Sequence, residues 1–349
     1  MSAEDKVRRI TGGQVPREWA RDVELLRRLV DRSEKIIEST SRFLGHESAP
    51  REYRIATVSS DLRFEDLSPI SKSAERGYKT YAIRSNTVLK RLRRDFLSDL
   101  GQAVDAGADI VCFNEMAFPC GRDATKSKDF EDEVRRVVED RQILLLAGTF
   151  HHPETDHNLC PIFSPGREVE YHAKLTTAVR IHEEVRTPAG RKMRYYHTTF
   201  GKASILICLD VFEPTLFLRL LRQSNHFSSA EDIDLVFVPS FSPHNSQILC
   251  DACEDLSYVT GAVVVYVNCA ERSPRHAVFV AGKRMPAKSS PSDGYQRRAF
   301  SSRGVLHTVR TGTLRALRNT MRDSYSPLLQ YMMADEVPEA PVFYSVRLE

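Results

Sequence analysis

Apolar residues in this chain fall into short, nearly unbroken runs separated by amphipathic stretches. That is the pattern of buried strands alternating with covering helices. Strands are predicted at Arg54-Ile-Ala-Thr-Val-Ser-Ser, Asp109-Ile-Val-Cys-Phe-Asn114, Ile143 to Phe150, Asp234-Leu-Val-Phe-Val-Pro239 and Gly261 to Asn268. Leu89, Leu92, Phe96, Leu100 and Val104 share a helical face, opened by Asn86 or Thr87 and closed by Gly107. Further helices are predicted over about 127–140 and 246–260. Asn158 to Phe163 and Glu168 to Lys174 read as a hairpin around Pro165-Gly166. Residues 63–85 and 175–198 read as loops. The alternation places the chain in the α/β class, a sheet layered against helices.

One stretch organises the rest. Phe200-Gly-Lys-Ala-Ser-Ile-Leu-Ile-Cys208 reads as a buried strand, and a helix is predicted to begin at Pro214, with Leu216, Phe217, Leu220 and Leu221 on one face. A cysteine at such a junction sits at the carboxyl end of a sheet, where open α/β folds build their sites. Taken alone, it reads equally as core filling, since free cysteine is among the most buried residue types.

Two flanking segments differ from the middle. Over residues 1–52, Trp19, Val23, Leu26, Val30, Ile37 and Leu44 recur at helical spacing, which predicts a long amphipathic helical extension ending before Pro50. Between Arg272 and Arg322 twelve Lys and Arg face one acid, Asp293, although the whole chain carries only +3. Such a block is a solvated surface or a basic interaction patch. The expected organisation is therefore a helical extension (1–52), a core (53–270) and a basic C-terminal part (271–349) that completes the fold and offers a surface.

Composition narrows the class. The chain has 349 residues, 41% of them hydrophobic, enough for one large core. Its seven cysteines lack a disulfide-framework spacing, and Cys112, Cys160, Cys208 and Cys269 lie in or beside apolar runs, as expected in a reducing compartment. No secretion signal opens the sequence and the longest apolar run is far too short for a bilayer, so a soluble, cytoplasmic protein without membrane contact is expected. Cys250-x-x-Cys253 has no second ligand pair, and His151, His152 and His157 lie in a Pro/Asp turn, so no metal is expected. Phosphate-loop, dinucleotide-loop and serine-elbow motifs are missing, so no cofactor is expected either.

Glu115, Lys174 and Cys208 each stand at the end of a separate predicted strand. Acyl transfer by a thiol needs these three types. An unperturbed thiol, with a pKa of about 8.5, is only a few per cent thiolate at neutral pH and requires a base. An ammonium can hold the tetrahedral oxyanion, an interaction worth roughly 3–4 kcal/mol. Individually, Glu115 reads as well as a loop acid, and Lys174 as a surface lysine.

In combination, Phe-Asn-Glu115, Tyr-His-Ala-Lys174-Leu and Ile-Leu-Ile-Cys208-Leu-Asp210 resemble the Glu-Lys-Cys triad of the nitrilase superfamily of carbon–nitrogen hydrolases. The resemblance spans about residues 53–270. It takes in Gly148-Thr-Phe with Asn158, the Phe200-Gly…Cys-Leu-Asp motif, Ala252 to Tyr258 and Val264 to Asn268. It implies a four-layer α-β-β-α sandwich that assembles as a homodimer or higher homo-oligomer. It also implies attack by Cys208, a base at Glu115, and an oxyanion held by Lys174 with the backbone N–H of Leu209. A second glutamate would help position substrate; Glu183 or Glu184 fits, Glu183 being slightly preferred. The implied substrate is a small amide or carbamoyl compound rather than a nitrile. Leu209 and Val211-Phe-Glu213 depart from the family's usual residues around the cysteine, and the family's closing motifs are not recognisable beyond Asn268. The alternative reading is a nitrilase-fold interaction module that binds nucleic acid or an acidic protein through Arg272–Arg322.

Overall fold

A strand that is apolar on both faces needs cover on both sides, and this requirement shapes the molecule. The computed structural model describes residues 37–42, 52–69, 80–121, 124–176, 192–198, 200–213, 233–242, 246–270, 275–280, 283–285 and 295–310. The first strands are β1 (Ile37–Arg42), β2 (Glu52–Val58), β3 (Leu67–Pro69) and β4 (Tyr81–Ile83), followed by helix α1 (Asn86–Asp105) and β5 (Ile110–Phe113). Helix α2 (Ala124–Arg141) leads into β6 (Leu144–Leu146), β7 (Phe150–His151), β8 (Asn158–Phe163) and β9 (Glu170–Ala173). Next come β10 (Lys192–Thr198), β11 (Gly201–Ile205), a 3-10 turn over Cys208–Phe212, and β12 (Ile233–Pro239). Helix α3 (Ser246–Thr260) precedes β13 (Val263–Val267), β14 (His276–Val280), β15 (Lys283–Arg284), β16 (Tyr295–Ala299) and β17 (Gly304–Arg310).

One sheet runs β1-β10-β11-β12-β13-β14-β15 and the other β16-β17-β2-β5-β6-β8-β7, with β9 added on β8 and β3-β4 forming a separate ribbon. Pairing is parallel across β2-β5-β6 and across β11-β12-β13, with α1 between β2 and β5, α2 between β5 and β6 and α3 between β12 and β13. Strand pleating then decides what each residue touches. Ile55, Ile110, Cys112, Leu144 and Leu146 point into a core shared with Ile205, Leu235 and Phe237 of the other sheet. Their neighbours Ala56, Val111, Phe113 and Leu145 point the opposite way, onto Phe96, Leu100 and Ala103 of α1 and Phe130, Val134 and Val138 of α2. Phe96 stacks on Phe113 with centroids 4.2 Å apart. Leu249, Cys253 and Leu256 of α3 join the core on the side of the other sheet.

Local chemistry fixes where α1 starts and stops. The Ser85 hydroxyl accepts from Val88 N at 3.2 Å as N-cap. At the other end Gly107, with φ +87°, closes a Schellman turn in which Gly107 N–H donates to Val104 O and Ala108 N–H to Ala103 O. The chain is thereby turned directly into β5, whose end carries Glu115.

Among the described residues the helices predicted over 86–107, 127–140 and 246–260, the 158–174 hairpin and the predicted strands are present, the one predicted over 143–150 being broken into β6 and β7. Four expectations need correction or extension. Ile37–Arg42 is a strand paired in parallel with β10, not the end of a helix. Within the predicted 63–85 loop lie β3 and β4. Lys192–Thr198 is a strand rather than loop: Met193 and Tyr195 are buried with the period of two that a strand requires. Beyond residue 270, β14 and β15 extend one sheet while β16 and β17 extend the other, β17 lying directly beside β2. The helices predicted within residues 1–36 and from Pro214 lie outside the described residues.

Part of the basic block serves this packing. Arg303 pairs with the buried Asp99 of α1 at 3.1 Å. Arg298 donates to Ala106 O at 3.2 Å, a carbonyl at the negative end of that helix. Among the described residues no helix is long and apolar enough to cross a membrane.

Candidate active site

Glu115 follows β5 in a loop that the surrounding backbone holds tightly. The preceding Asn114 accepts from Ser60 N through Oδ1 at 2.6 Å and donates from Nδ2 to Glu115 O at 2.7 Å. After it, Met116 takes φ 63°, a left-handed conformation costly for a side chain of this size, and its N–H donates to Thr149 Oγ1 at 3.0 Å. Beneath lies Gly148, where a Cβ would come within 2.3 Å of Asn114 O, so only glycine fits.

The carboxylate itself meets three donors. Lys174 Nζ lies 2.7 Å from Oε1 and Asn158 Nδ2 3.0 Å from the same atom, while Phe241 N–H donates to Oε2 at 2.9 Å. The ion pair is shut away from water, with side chains 1% (Lys174) and 4% (Glu115) exposed. Asn158 opens β8, and its carbonyl accepts from Lys174 N at 2.9 Å, so one residue positions both partners. A carboxylate offers about four acceptor positions. Three are taken here, which leaves capacity for one further proton donor.

Cys208 lies buried at the end of β11, on the first residue of the 3-10 turn, with φ 52°. A non-glycine residue in that region is held there by its surroundings, as at the strained elbow of a nucleophile. What holds it is Asp210. Its carboxylate accepts from Ile207 N at 3.0 Å, from Leu175 N at 3.1 Å and from both Thr176 N, at 2.7 Å, and the Thr176 hydroxyl. The turn bearing Cys208 is thus tied to the two residues that follow Lys174. Burial pushes the Asp210 carboxyl up to about 6, against the opposing pull of the Thr176 hydroxyl, the Lys174 charge and the Ile207 N–H.

Of the predicted site residues, Glu115 and Lys174 are in direct contact, and Cys208 is joined to the Lys174 segment through Asp210. Leu209 lies half-buried on the same 3-10 turn and packs on the core. Glu183 and Glu184 lie outside the described residues. The contributions of Asp210, Asn114 and the Phe241 N–H were not foreseen, although Asp210 lies within the cysteine motif and Asn158 within the strand match. His151, expected in an exposed turn, is buried, and its Nδ1 accepts from Tyr81 N at 3.0 Å. No group of three or more His, Cys, Asp or Glu is placed to hold a metal among the described residues.

The chain has the fold of the carbon–nitrogen hydrolases of the nitrilase superfamily. An amidase from Nesterenkonia sp. is similar at TM-score 0.51 and 14% identity, over 80% of this chain and 98% of that one. Nit3 of Saccharomyces cerevisiae, a member of branch 10 of the superfamily, is similar at TM-score 0.51 and 15% identity, over 79% and 97%. A CN-hydrolase superfamily protein of Xanthomonas campestris with an arsenic adduct in its active site is similar at TM-score 0.55 and 15% identity, over 79% and 98%. Neither a family model nor a curated protein sequence matches the chain.

Proposed function

We propose that this chain is a thiol-dependent hydrolase of non-peptide carbon–nitrogen bonds belonging to the nitrilase superfamily, its two sheets and covering helices forming a four-layer α-β-β-α sandwich. The observation that carries this reading is the water-excluded Glu115–Lys174 pair, bound through Leu175, Thr176 and Asp210 to the strained turn of Cys208. A buried ion pair is weak support for stability on its own terms, so its retention here points to chemistry.

In this mechanism Glu115 takes the thiol proton and the Cys208 sulfur attacks the carbonyl carbon. Lys174 and the Leu209 N–H hold the resulting oxyanion. As the intermediate collapses, the carbon–nitrogen bond breaks and Glu115 returns the proton to the leaving ammonia or amine, leaving a thioester. Glu115 then takes a proton from water, whose oxygen attacks the thioester; the sulfur leaves as thiolate and regains a proton. Glu183 is assigned to substrate positioning, with Glu184 as the alternative. Amides and carbamoyl compounds are favoured over nitriles, a preference that the amidase among the similar structures supports.

The test is mass spectrometry of the intact protein during turnover of a panel of small amides. A mass increase equal to the acyl group, lost in Cys208→Ala together with turnover, is the expected result. Turnover that persists in Cys208→Ala would sink the mechanism.

A further inference from the structure

Asp210 is wholly buried, so it acts through its neighbours rather than on a substrate. Its two carboxylate oxygens divide their work between two parts of the site. Oδ2 accepts from Ile207 N at 3.0 Å, next to Cys208 in the chain. Oδ1 accepts from Thr176 N at 2.7 Å and from the Thr176 hydroxyl. Leu175 N lies between the two oxygens, 3.1 Å from Oδ1 and 3.3 Å from Oδ2.

The lysine segment is therefore fixed at three consecutive amides. Lys174 N–H donates to Asn158 O, and those of Leu175 and Thr176 donate to Asp210. Asn158 also donates from Nδ2 to Glu115 Oε1. Hydrogen bonds thus lead from Glu115 through Asn158 and the lysine segment to Asp210, and from there to the turn of Cys208. That turn holds Cys208 at φ 52°, a conformation that relaxes when its restraints are removed. An amide in place of Asp210 has one acceptor oxygen. Whichever way it is turned, its NH2 group faces the N–H of Ile207 or that of Thr176. A carboxylate of this length meets both.

We infer that Asp210, with Thr176 as its partner, is a positioning residue that sets the Cys208 turn in register with Lys174. This role rests on the hydrolase reading above and adds to it two residues outside the Glu115, Lys174 and Cys208 set. The sulfur has to reach the carbonyl carbon while the ammonium meets the carbonyl oxygen of the same group. Productive geometry needs reacting atoms about 3–3.5 Å apart, and a displacement on the order of 1 Å costs on the order of 100-fold in rate.

The test compares Thr176→Val, which keeps the side-chain shape and the backbone N–H but removes the hydroxyl donor, with Thr176→Ser, which keeps that donor. Thr176 is half-buried, so the core is left intact. Two readouts are taken at about pH 8, above the Asp210 value of about 6. One is kcat and KM for a small amide. The other is the rate at which iodoacetamide alkylates Cys208, followed by peptide mass spectrometry because all seven cysteines are free thiols. Thr176→Val is expected to lower kcat and the alkylation rate by about tenfold, with KM within about twofold of the parent, and Thr176→Ser to recover both. Asp210→Asn is expected to lower both by about 100-fold; should it fail to fold, the Thr176 pair decides. Parent-like rates in Thr176→Val, a loss that Thr176→Ser does not recover, or a fall in kcat with alkylation unchanged would each overturn the assignment. A parent chain that hydrolyses no amide would sink the hydrolase reading instead, and the alkylation rates would still decide whether Thr176 and Asp210 set the geometry of Cys208.

Discussion

Of the polar regions inside this protein, those around Glu115 and His276 are built in opposite ways. Around Glu115 most acceptor positions are met from within. The carboxylate takes three protein donors and Asp210 takes four, from side chains and backbone alike. Around His276 the chain is just as buried, yet among the described residues its Nδ1 has no hydrogen-bond partner. A fully satisfied network holds its members in one geometry before any ligand arrives, which suits chemistry that depends on preorganised charge. A buried polar atom left unmet is instead a cost that the surrounding fold has to carry.

The largest effect is expected where the satisfied network meets the reacting atom. Cys208→Ala should bring amide turnover to background while circular dichroism and thermal midpoint stay near those of the parent. Lys174→Met should follow, since it strands the Glu115 charge away from water. Removing one member of a buried pair costs about 3–5 kcal/mol, and urea denaturation would read that loss along with the loss of turnover. A midpoint unmoved by Lys174→Met would mean that the pair is open to water after all.

Asp210 gives a graded test of the same region. Its folded pKa of about 6 lies above the ordinary 3.8, so the folded chain takes up this proton at a higher pH than the unfolded chain does. The stability it contributes is fully present below about pH 4 and is lost as pH rises through about 6, amounting to about 3 kcal/mol. Asp210→Asn cannot titrate and should flatten the stability profile across that window in urea titrations at stepped pH. Equal slopes for parent and variant would show that Asp210 is not buried as described.

The smallest effect is expected at an exposed pair of similar geometry. Arg54 and Asp109 lie 2.9 Å apart, but their side chains are 44% and 28% exposed. Arg54→Ala should cost no more than about 1 kcal/mol, in line with solvent-screened pairs. A loss matching that of Lys174→Met would erase the contrast between buried and exposed pairs on which the reading of the site rests.

Much of this was legible before the fold was known. Unbroken apolar runs mark β2, β5, β6, β12 and β13 because these strands are covered on both faces, and Gly107 marks the end of α1 because its φ is positive. Glu115, Lys174 and Cys208 were visible as strand-end residues of the right chemical types. Among the strands that escaped, β1, β10 and β16 set apolar against polar residues, as in Lys-Met-Arg-Tyr-Tyr-His-Thr, which mimics a loop in a charged stretch. Within the basic block after Asn268, read as a solvated surface or an interaction patch, Arg298 and Arg303 are placed against α1. Charge counts do not carry that information, because the acid that answers Arg303 stands 204 positions earlier.

The division has a simple physical cause. Side-chain type and local period are properties of neighbouring residues, so the sequence by itself determined the α/β alternation, the strand ends and the chemical types of Glu115, Lys174 and Cys208. Pairing is a property of distance in space. Glu115 meets Lys174 across 59 residues and the Phe241 N–H across 126, and His276 meets Ser59 across 217. Only the stacking of the two sheets decides that the acid is met by three donors while, among the described residues, the histidine Nδ1 is met by none.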